Sequence, residues 1–269
     1  MLSVNTNQGA MIALQYLNQT NAQLEQTENE VNTGLKVATA KDDGSTFAIA
    51  QNMRADVAGY QAVSDSLNRG ISTADVALSA GQSISDLLIQ MKQKALAATD
   101  SSLDSTSKAA LNADFQAMLS QINTIVKNAT FSGANLIDGT TTTTYSALAS
   151  ADGSNTITIS GVDMTASTLL GTLDLASGAT SALQAVSTAI STVDTDLASL
   201  SAGSRKFSIQ ATFVSQLSDA LTTGIGNLVD ADMAKESANL TALQTKQQLG
   251  VQALSIANSS PQIILSLFK

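Results

Sequence analysis

Apolar residues recur along residues 183–228 at alternating steps of three and four: Leu183, Val186, Ile190, Val193, Leu197, Leu200, Ser204, Phe207, Ala211, Val214, Ser218, Leu221, Ile225 and Leu228. Only Ser204 and Ser218 interrupt the stripe. A period near 3.5 held over this distance keeps one face of a helix turned toward a partner, the pattern of a coiled-coil seam. Gly203, beside the first interruption, is expected to mark a bend or break. Residues 57–95 carry a matching stripe through Val57, Tyr60, Leu67, Ile71, Ala74, Leu78, Ile84, Leu88, Met91 and Ala95. A polar break follows at 99–107, where Asp104 or Ser105 is placed to cap the next helix. That helix reads Leu111, Phe115, Met118, Ile122, Ile125 and Ala129. Helices with such stripes bury them only against one another, so a mainly α fold is expected, a long antiparallel bundle of N- and C-terminal segments.

Composition supports this reading and removes whole classes of function. Aromatic residues make up 3% of the chain, with no Trp, so the apolar surface is mostly aliphatic and suits thin helical seams. The single proline, Pro261, leaves nearly everything before it free to be helical. There is no Cys and no His, which excludes thiolate chemistry, zinc–sulfur sites and a Ser–His–Asp triad. The net charge of −9 provides no basic field for nucleic acid or anionic lipid. No run of about 18 apolar residues is present, so no membrane insertion is expected. The first residues have neither a basic n-region nor an apolar h-region of a Sec signal. No enzymatic activity and no cofactor or metal are expected.

The periodicity changes between the stripes. Thr130-Phe-Ser-Gly133 through Asp138-Gly139 is loop chemistry, Thr140–Thr144 is a Thr run, and Asp152-Gly153 is a turn signal. Asn155-Thr-Ile-Thr-Ile-Ser160 alternates polar and apolar residues as a strand does. Residues 130–178 are expected to form a short β-rich excursion at the tip of the bundle, too small for a large core of its own. The two ends carry weaker seams. Ala10, Leu17, Leu24 and Val31 repeat at seven, helped by Ala13 and Leu14, with Thr20, Asn21 and Thr27 intervening. Met233, Leu240 and Leu254 share a frame with Gln247, flanked by Leu243, Val251 and Ala257. Seams this polar do not stabilise a lone helix, so the ends are expected either to order on assembly or simply to fray.

Several strings resemble one family. Val4-Asn-Thr-Asn7, Thr33-Gly-Leu-Lys-Val-Ala-Thr-Ala-Lys-Asp-Asp43, Phe47-Ala-Ile-Ala50, Asp65-Ser-Leu-Asn-Arg-Gly-Ile-Ser72 and Thr130-Phe-Ser-Gly133 resemble the N-terminal region of bacterial flagellins. Asn227-Leu-Val-Asp-Ala-Asp-Met-Ala-Lys-Glu236, Gln247-Gln-Leu-Gly-Val-Gln-Ala-Leu254 and Ala257-Asn-Ser-Ser-Pro-Gln-Ile-Ile-Leu-Ser-Leu-Phe268 resemble the C-terminal region. The match covers about the first 138 and last 90 residues and is nearest to the alphaproteobacterial type, in a short form without large outer domains.

The resemblance implies a structural subunit that polymerises into the flagellar filament for swimming motility. It implies a division into an N-terminal inner helix (1–33), a connector (34–44), N-terminal outer helices (45–129), the β-rich tip (130–178), a C-terminal outer helix (179–227) and a C-terminal inner helix (228–269). Inner-tube subunit packing is expected at Leu14, Leu17, Leu24, Val31, Met233, Leu240, Leu243, Val251, Leu254 and Ile264. The outer seam is expected at Leu67, Ile71, Leu78, Leu88, Phe115, Ile122, Ile190, Val193, Leu197 and Leu221. Implied partners are further copies of the chain, sister flagellins, the flagellar type III export machinery, a flagellin chaperone, and the filament cap and hook-junction proteins. The chaperone is expected on the C-terminal helix with its Ile263, Ile264, Leu265, Leu267 and Phe268. The implied location is secreted, in the extracellular filament. Flagellins sensed by the Toll-like receptor carry an Arg and a Leu at positions matching Gln90 and Lys94, so these departures imply weak sensing.

Other features have two readings. Lys41-Asp42-Asp43 is a solvated connector or, with no third ligand at hand, a poor metal site. Gly34 reads as a helix C-cap or a hinge, and Gly81 as a close-packing position or a hinge. Ser and Thr in 140–181 suit glycan attachment and turn formation equally. A hook–filament junction protein and a sensory helical bundle are the rival readings; the C-terminal match opposes the first, and the lack of a membrane span or ligand pocket signal opposes the second.

Overall fold

The computed structural model describes residues 6–266, with the side chains of 176, 177 and 260–266 outside the description. Six helices and one hairpin follow in order: α1 (Gln8–Thr33), α2 (Gly44–Ala98), α3 (Ser105–Asn128), β1 (Thr144–Leu148), β2 (Thr156–Ser160), α4 (Ala166–Leu170), α5 (Leu175–Val229) and α6 (Met233–Ser266). The fold is mainly α with one small antiparallel sheet.

Helix ends are set by local side chains. The Asn7 side chain accepts the Ala10 N–H at 3.1 Å and starts α1. Asp43 accepts the N–H groups of Ser45 and Thr46 at the start of α2. Asp104, rather than Ser105, caps α3 by accepting the Ser107 N–H at 2.9 Å. Each satisfies donors that the first helical turn leaves without an internal partner. Gly34 ends α1 in the left-handed conformation, φ 70°, where a side chain would be strained, and its N–H returns to Glu30 O. It is a C-cap.

The chain forms two compact units. One holds Met1–Ala55 and Ala220–Lys269. In it α1 and α6 run antiparallel: Asn7 donates to Ala257 O at 2.7 Å, and Gln247 donates to Asn21 Oδ1 at 2.8 Å. The segment between α1 and α2 is tied to the end of α5, with Lys36 N–H donating to Val229 O at 2.7 Å and Ala231 N–H to Gly34 O at 3.0 Å. Val37, Ala50 and Val229 form a small core there with Leu35, Phe47 and Ile225. The expected connector 34–44 and the first turns of α2 therefore group with the terminal helices, and so does Leu221, which the sequence pattern assigns to the outer seam.

The other unit, Asp56–Asp219, holds the main core. Phe115, Phe207, Leu67, Ile84, Leu88, Met91 and Ile122 are fully buried there. Burying each such side chain stabilises the fold by about 1.5–3 kcal/mol. Two sequence expectations are corrected in this unit. The hairpin does not sit at the tip; it lies against the flanks of α2 and α5. Leu148 N–H donates to Ser66 Oγ at 3.1 Å, and Gln210 Nε2 donates to Ala149 O at 3.2 Å. Gly203 does not break its helix. A Cβ there would stand 2.7 Å from Ile159 Cγ1, so the missing side chain is the niche that receives the hairpin. The irregularity in α5 falls instead at Gly178, φ −155° and ψ 50°.

The hairpin pairs Tyr145 with Ile159 and Ala147 with Ile157. Ala147 and Ile159 are buried and Tyr145 and Ile157 half-buried, while Thr144, Ser146, Thr156, Thr158 and Ser160 face solvent. The alternation expected for Asn155–Ser160 is present, and the partner strand, Thr144–Leu148, begins where the Thr run ends. Tyr145 meets Phe207 edge-on, with ring centroids 6.2 Å apart. Gly81 permits a similar approach, since its Cβ would stand 2.7 Å from Leu197 Cδ2. Close packing, not hinge motion, accounts for this mid-helix glycine.

Candidate functional site

The surfaces through which a helical chain of this kind acts are its apolar faces. The α1–α6 seam is read from burial and contacts. On α1 the seam runs through Ala10, Ala13, Leu17, Thr20, Leu24, Thr27 and Val31, with Glu30 half-buried beside it, and on α6 through Glu236, Leu240, Leu243, Gln247, Gly250, Leu254 and Ala257. Both series step by three and four, the heptad spacing. Their polar members have a role. Thr27 is buried, Gln247 bonds Asn21, and Gly250 leaves room for Leu17, whose Cδ1 lies 3.2 Å from where a Cβ would stand. The opposite terminus of the same chain thus covers one face of each terminal helix.

Of the ten residues expected in terminal-helix packing, Leu24 and Leu243 are buried and Leu17, Val31, Leu240 and Leu254 half-buried. Leu14 and Val251 are off the seam and exposed, and Met233, in register with Leu240 at the first turn of α6, is exposed as well. The side chain of Ile264 lies outside the described residues, as do those of Ile263 and Leu265 and all of Leu267 and Phe268. In the other unit Leu67, Leu88, Phe115, Ile122 and Val193 are buried, and Ile71, Leu78, Ile190 and Leu197 pack against the same core.

What the sequence pattern missed is the apolar surface off the seams. Met11, Ile12 and Tyr16 stand beside Leu14 on α1, with Tyr16 67% exposed. Leu249 and Ile256, seven residues apart, share one face of α6, with Ile256 70% exposed, and Val251 is exposed on another. In the larger unit Ile209 and Phe213, one turn apart on α5, are exposed, as are Ile89 and Leu96 on α2. Large apolar residues at positions outside the heptad frame were the available signal. Contiguous bare apolar surface of this kind marks interaction sites.

Polar chemistry is sparse. Among the described residues no group of three or more acidic, Cys or His side chains could hold a metal ion. No described helix is long and apolar enough to cross a membrane. Lys94 Nζ pairs with Asp114 Oδ2 at 2.7 Å, joining α2 to α3, and Gln90 is exposed one turn earlier. Burial raises the carboxyl of Asp196 above its ordinary range, with no charged partner behind the shift. Asp42 accepts from the N–H groups of Ala38 and Thr39, so the Lys41-Asp42-Asp43 connector is organised by backbone capping.

Comparison with known proteins bears on the family. A model of the bacterial flagellin N-terminal helical region matches residues 4–142, and one of the bacterial flagellin C-terminal helical region matches residues 183–268. The chain is similar to flagellin FljM of Caulobacter vibrioides, 50% identical across 99% of this chain and 98% of that one. Flagellin FljK of the same bacterium is 50% identical with the same coverage. A flagellin of Brucella melitensis is 40% identical across the whole of both chains. With terminal helices that pair, a seam on every long helix and family matches over both ends, the chain belongs to the bacterial flagellins, in the short alphaproteobacterial form.

Proposed function

We propose that the apolar side chains left bare on α1 and α6 are the faces on which this flagellin polymerises. As a member of its family the chain is a non-enzymatic structural subunit of the extracellular flagellar filament that drives swimming. The observation carrying the proposal is the contrast within one pair of helices. Leu24, Thr27 and Leu243 are covered by the pair itself, whereas Met11, Tyr16, Leu249 and Ile256 stay largely exposed among the described residues. A neighbouring copy presents the same helices, and head-to-tail contacts that do not close into a ring generate an open helical filament.

In this reading residues 1–33 and 228–269 make the inner tube, and the helices of the larger unit, 56–129 with 179–219, make the outer one. Residues 130–178, lying on the helix flanks, add little girth, and the filament is thin. The chain leaves the cell through the flagellar type III exporter, for which a fold without disulfides and with few large aromatics is well suited. A flagellin chaperone covers the C-terminal helix beforehand. Cap and hook-junction proteins bound the filament, and sister flagellins join it.

The test is Leu240→Asp. Leu240 is half-buried on the α1–α6 seam, and an unpaired carboxylate there costs on the order of 1–3 kcal/mol in every subunit. With this variant as sole flagellin, cells are expected to lose swimming and to carry short or no filaments by electron microscopy. Normal filaments would overturn the placement of α6 in the inner tube.

A further inference from the structure

The sequence contains three Asp–Gly junctions, Asp43-Gly44, Asp138-Gly139 and Asp152-Gly153. Asp–Gly is the least durable junction of its type, because glycine has no Cβ to keep its nitrogen from the neighbouring carboxyl carbon. The glycine N attacks Asp Cγ, a C–N bond forms and a C–O bond breaks. The carboxyl oxygen leaves as water with the amide and carboxyl protons, giving a succinimide. One water then opens the ring, and opening at the main-chain carbonyl leaves isoaspartate. Water leaves once and enters once, so no other reactant is needed. The step requires the protonated carboxyl group, since a carboxylate is a poor electrophile with a poor leaving group.

All three aspartates are held alike, by backbone N–H groups and hydroxyls two or three residues away. Asp43 accepts from Ser45 N at 3.0 Å, Ser45 Oγ at 2.8 Å, Thr46 N at 3.1 Å and Thr46 Oγ1 at 2.6 Å. Asp138 accepts from Thr140 N at 3.1 Å, Thr141 N at 2.9 Å and the Thr141 hydroxyl. Asp152 accepts at Oδ1 from Ser150 Oγ at 2.6 Å, Ser154 N at 3.1 Å and Ser154 Oγ at 2.9 Å. We propose that these hydroxyl cages hold three latent isomerisation sites inert, and that Asp152, in the exposed hairpin loop, is the site that becomes modified when its cage is opened.

The cages act in two ways. They fix each carboxylate on donors beyond the glycine, and they stabilise the ionised, unreactive form. The Ser150 hydroxyl, with Ser154, lowers the Asp152 carboxyl from 3.8 to about 2. For Asp43 the Thr46 hydroxyl is the largest of several hydrogen bonds acting downward. At Asp138 desolvation acts upward, but the Thr141 and Thr140 bonds outweigh it and the carboxyl is still lowered. At the hairpin the nucleophile is also engaged, since Gly153 N–H donates to Ser150 O at 3.1 Å.

The experiment compares full-length protein with its Ser150→Ala/Ser154→Ala and Ser150→Thr/Ser154→Thr variants, aged at neutral pH. Isoaspartate is located by peptide mass spectrometry. The alanine variant is expected to accumulate about tenfold or more isoaspartate at Asp152, since each pKa unit restored multiplies the reactive acid tenfold. Asp43 and Asp138 in the same sample stay unchanged, and the threonine variant, which keeps both hydroxyls, stays near the parent. Equal isoaspartate at Asp152 in parent and alanine variant would overturn the proposal. So would a rise shared equally by all three sites, which would mean general loosening. None of these outcomes depends on how the subunit assembles.

Discussion

Lys94 shows how one side chain serves the fold and shapes what the surface offers. Its ammonium holds Asp114 across two helices, an exposed pair worth about 0.2–1 kcal/mol. A receptor pressing an apolar contact onto this spot must strip water from the ammonium and separate the pair, and Gln90 offers no charged fork in return. We therefore expect this flagellin to activate the Toll-like receptor weakly. A reporter-cell titration of the parent beside Gln90→Arg/Lys94→Leu should show the variant more potent by about tenfold, the gain from roughly 1.4 kcal/mol of interface. Potent activation by the unaltered monomer would remove the idea. Thr27 and Gln247 make a related point: both look like interruptions of a seam, yet one is buried in it and the other is bonded across it.

Among the elements, the hairpin depends most on its neighbours. Its two strands make a marginal sheet, and a two-stranded ribbon needs a packed face to persist in water. That face is supplied by α2 and α5 where they lack side chains. A Cβ at Gly70 would lie 3.1 Å from Tyr145 Cε1 of the hairpin, and one at Gly203 would lie 2.7 Å from Ile159 Cγ1. Gly203→Val gains helix propensity but overpacks the niche, at a cost of about 1–3 kcal/mol. It should lower the thermal midpoint followed by circular dichroism, and Ile159→Ala in the same chain should recover part of the loss. An unchanged midpoint for Gly203→Val, or strictly additive losses in the double variant, would show that the hairpin does not dock there.

At the scale of the whole molecule the two compact units bury very different amounts. The unit of Asp56–Asp219 has a continuous core from Val63 to Val214, whereas among described residues the terminal helices bury only Leu24, Thr27 and Leu243 between them. Deleting residues 230–269 removes α6 and leaves that larger core intact. The truncated protein should remain a partly helical monomer that stays soluble and never elongates filament seeds in negative-stain microscopy. Long filaments from it would mean that α1 alone suffices for the inner contacts.

The sequence by itself determined that long helices pair and which faces they bury, and it narrowed two helix ends, one start to Asp104 or Ser105 and one stop to Gly34, while the structure added Asn7. Heptad spacing, Asp104 and Gly34 act through neighbours a few residues away, and such local signals are legible without a fold. It also identified the family, because the strings at both ends are specific. Only the tertiary structure decided where the hairpin lies, why Gly203 is a glycine, that Leu221 groups with the terminal helices, and which apolar residues of α1 and α6 remain bare. Each of these depends on the fit between segments far apart in the chain. Ile159 finds a niche 44 residues later on another element. No periodicity records that fit, because a niche is made by the side chain that is absent and filled by one that a different element delivers.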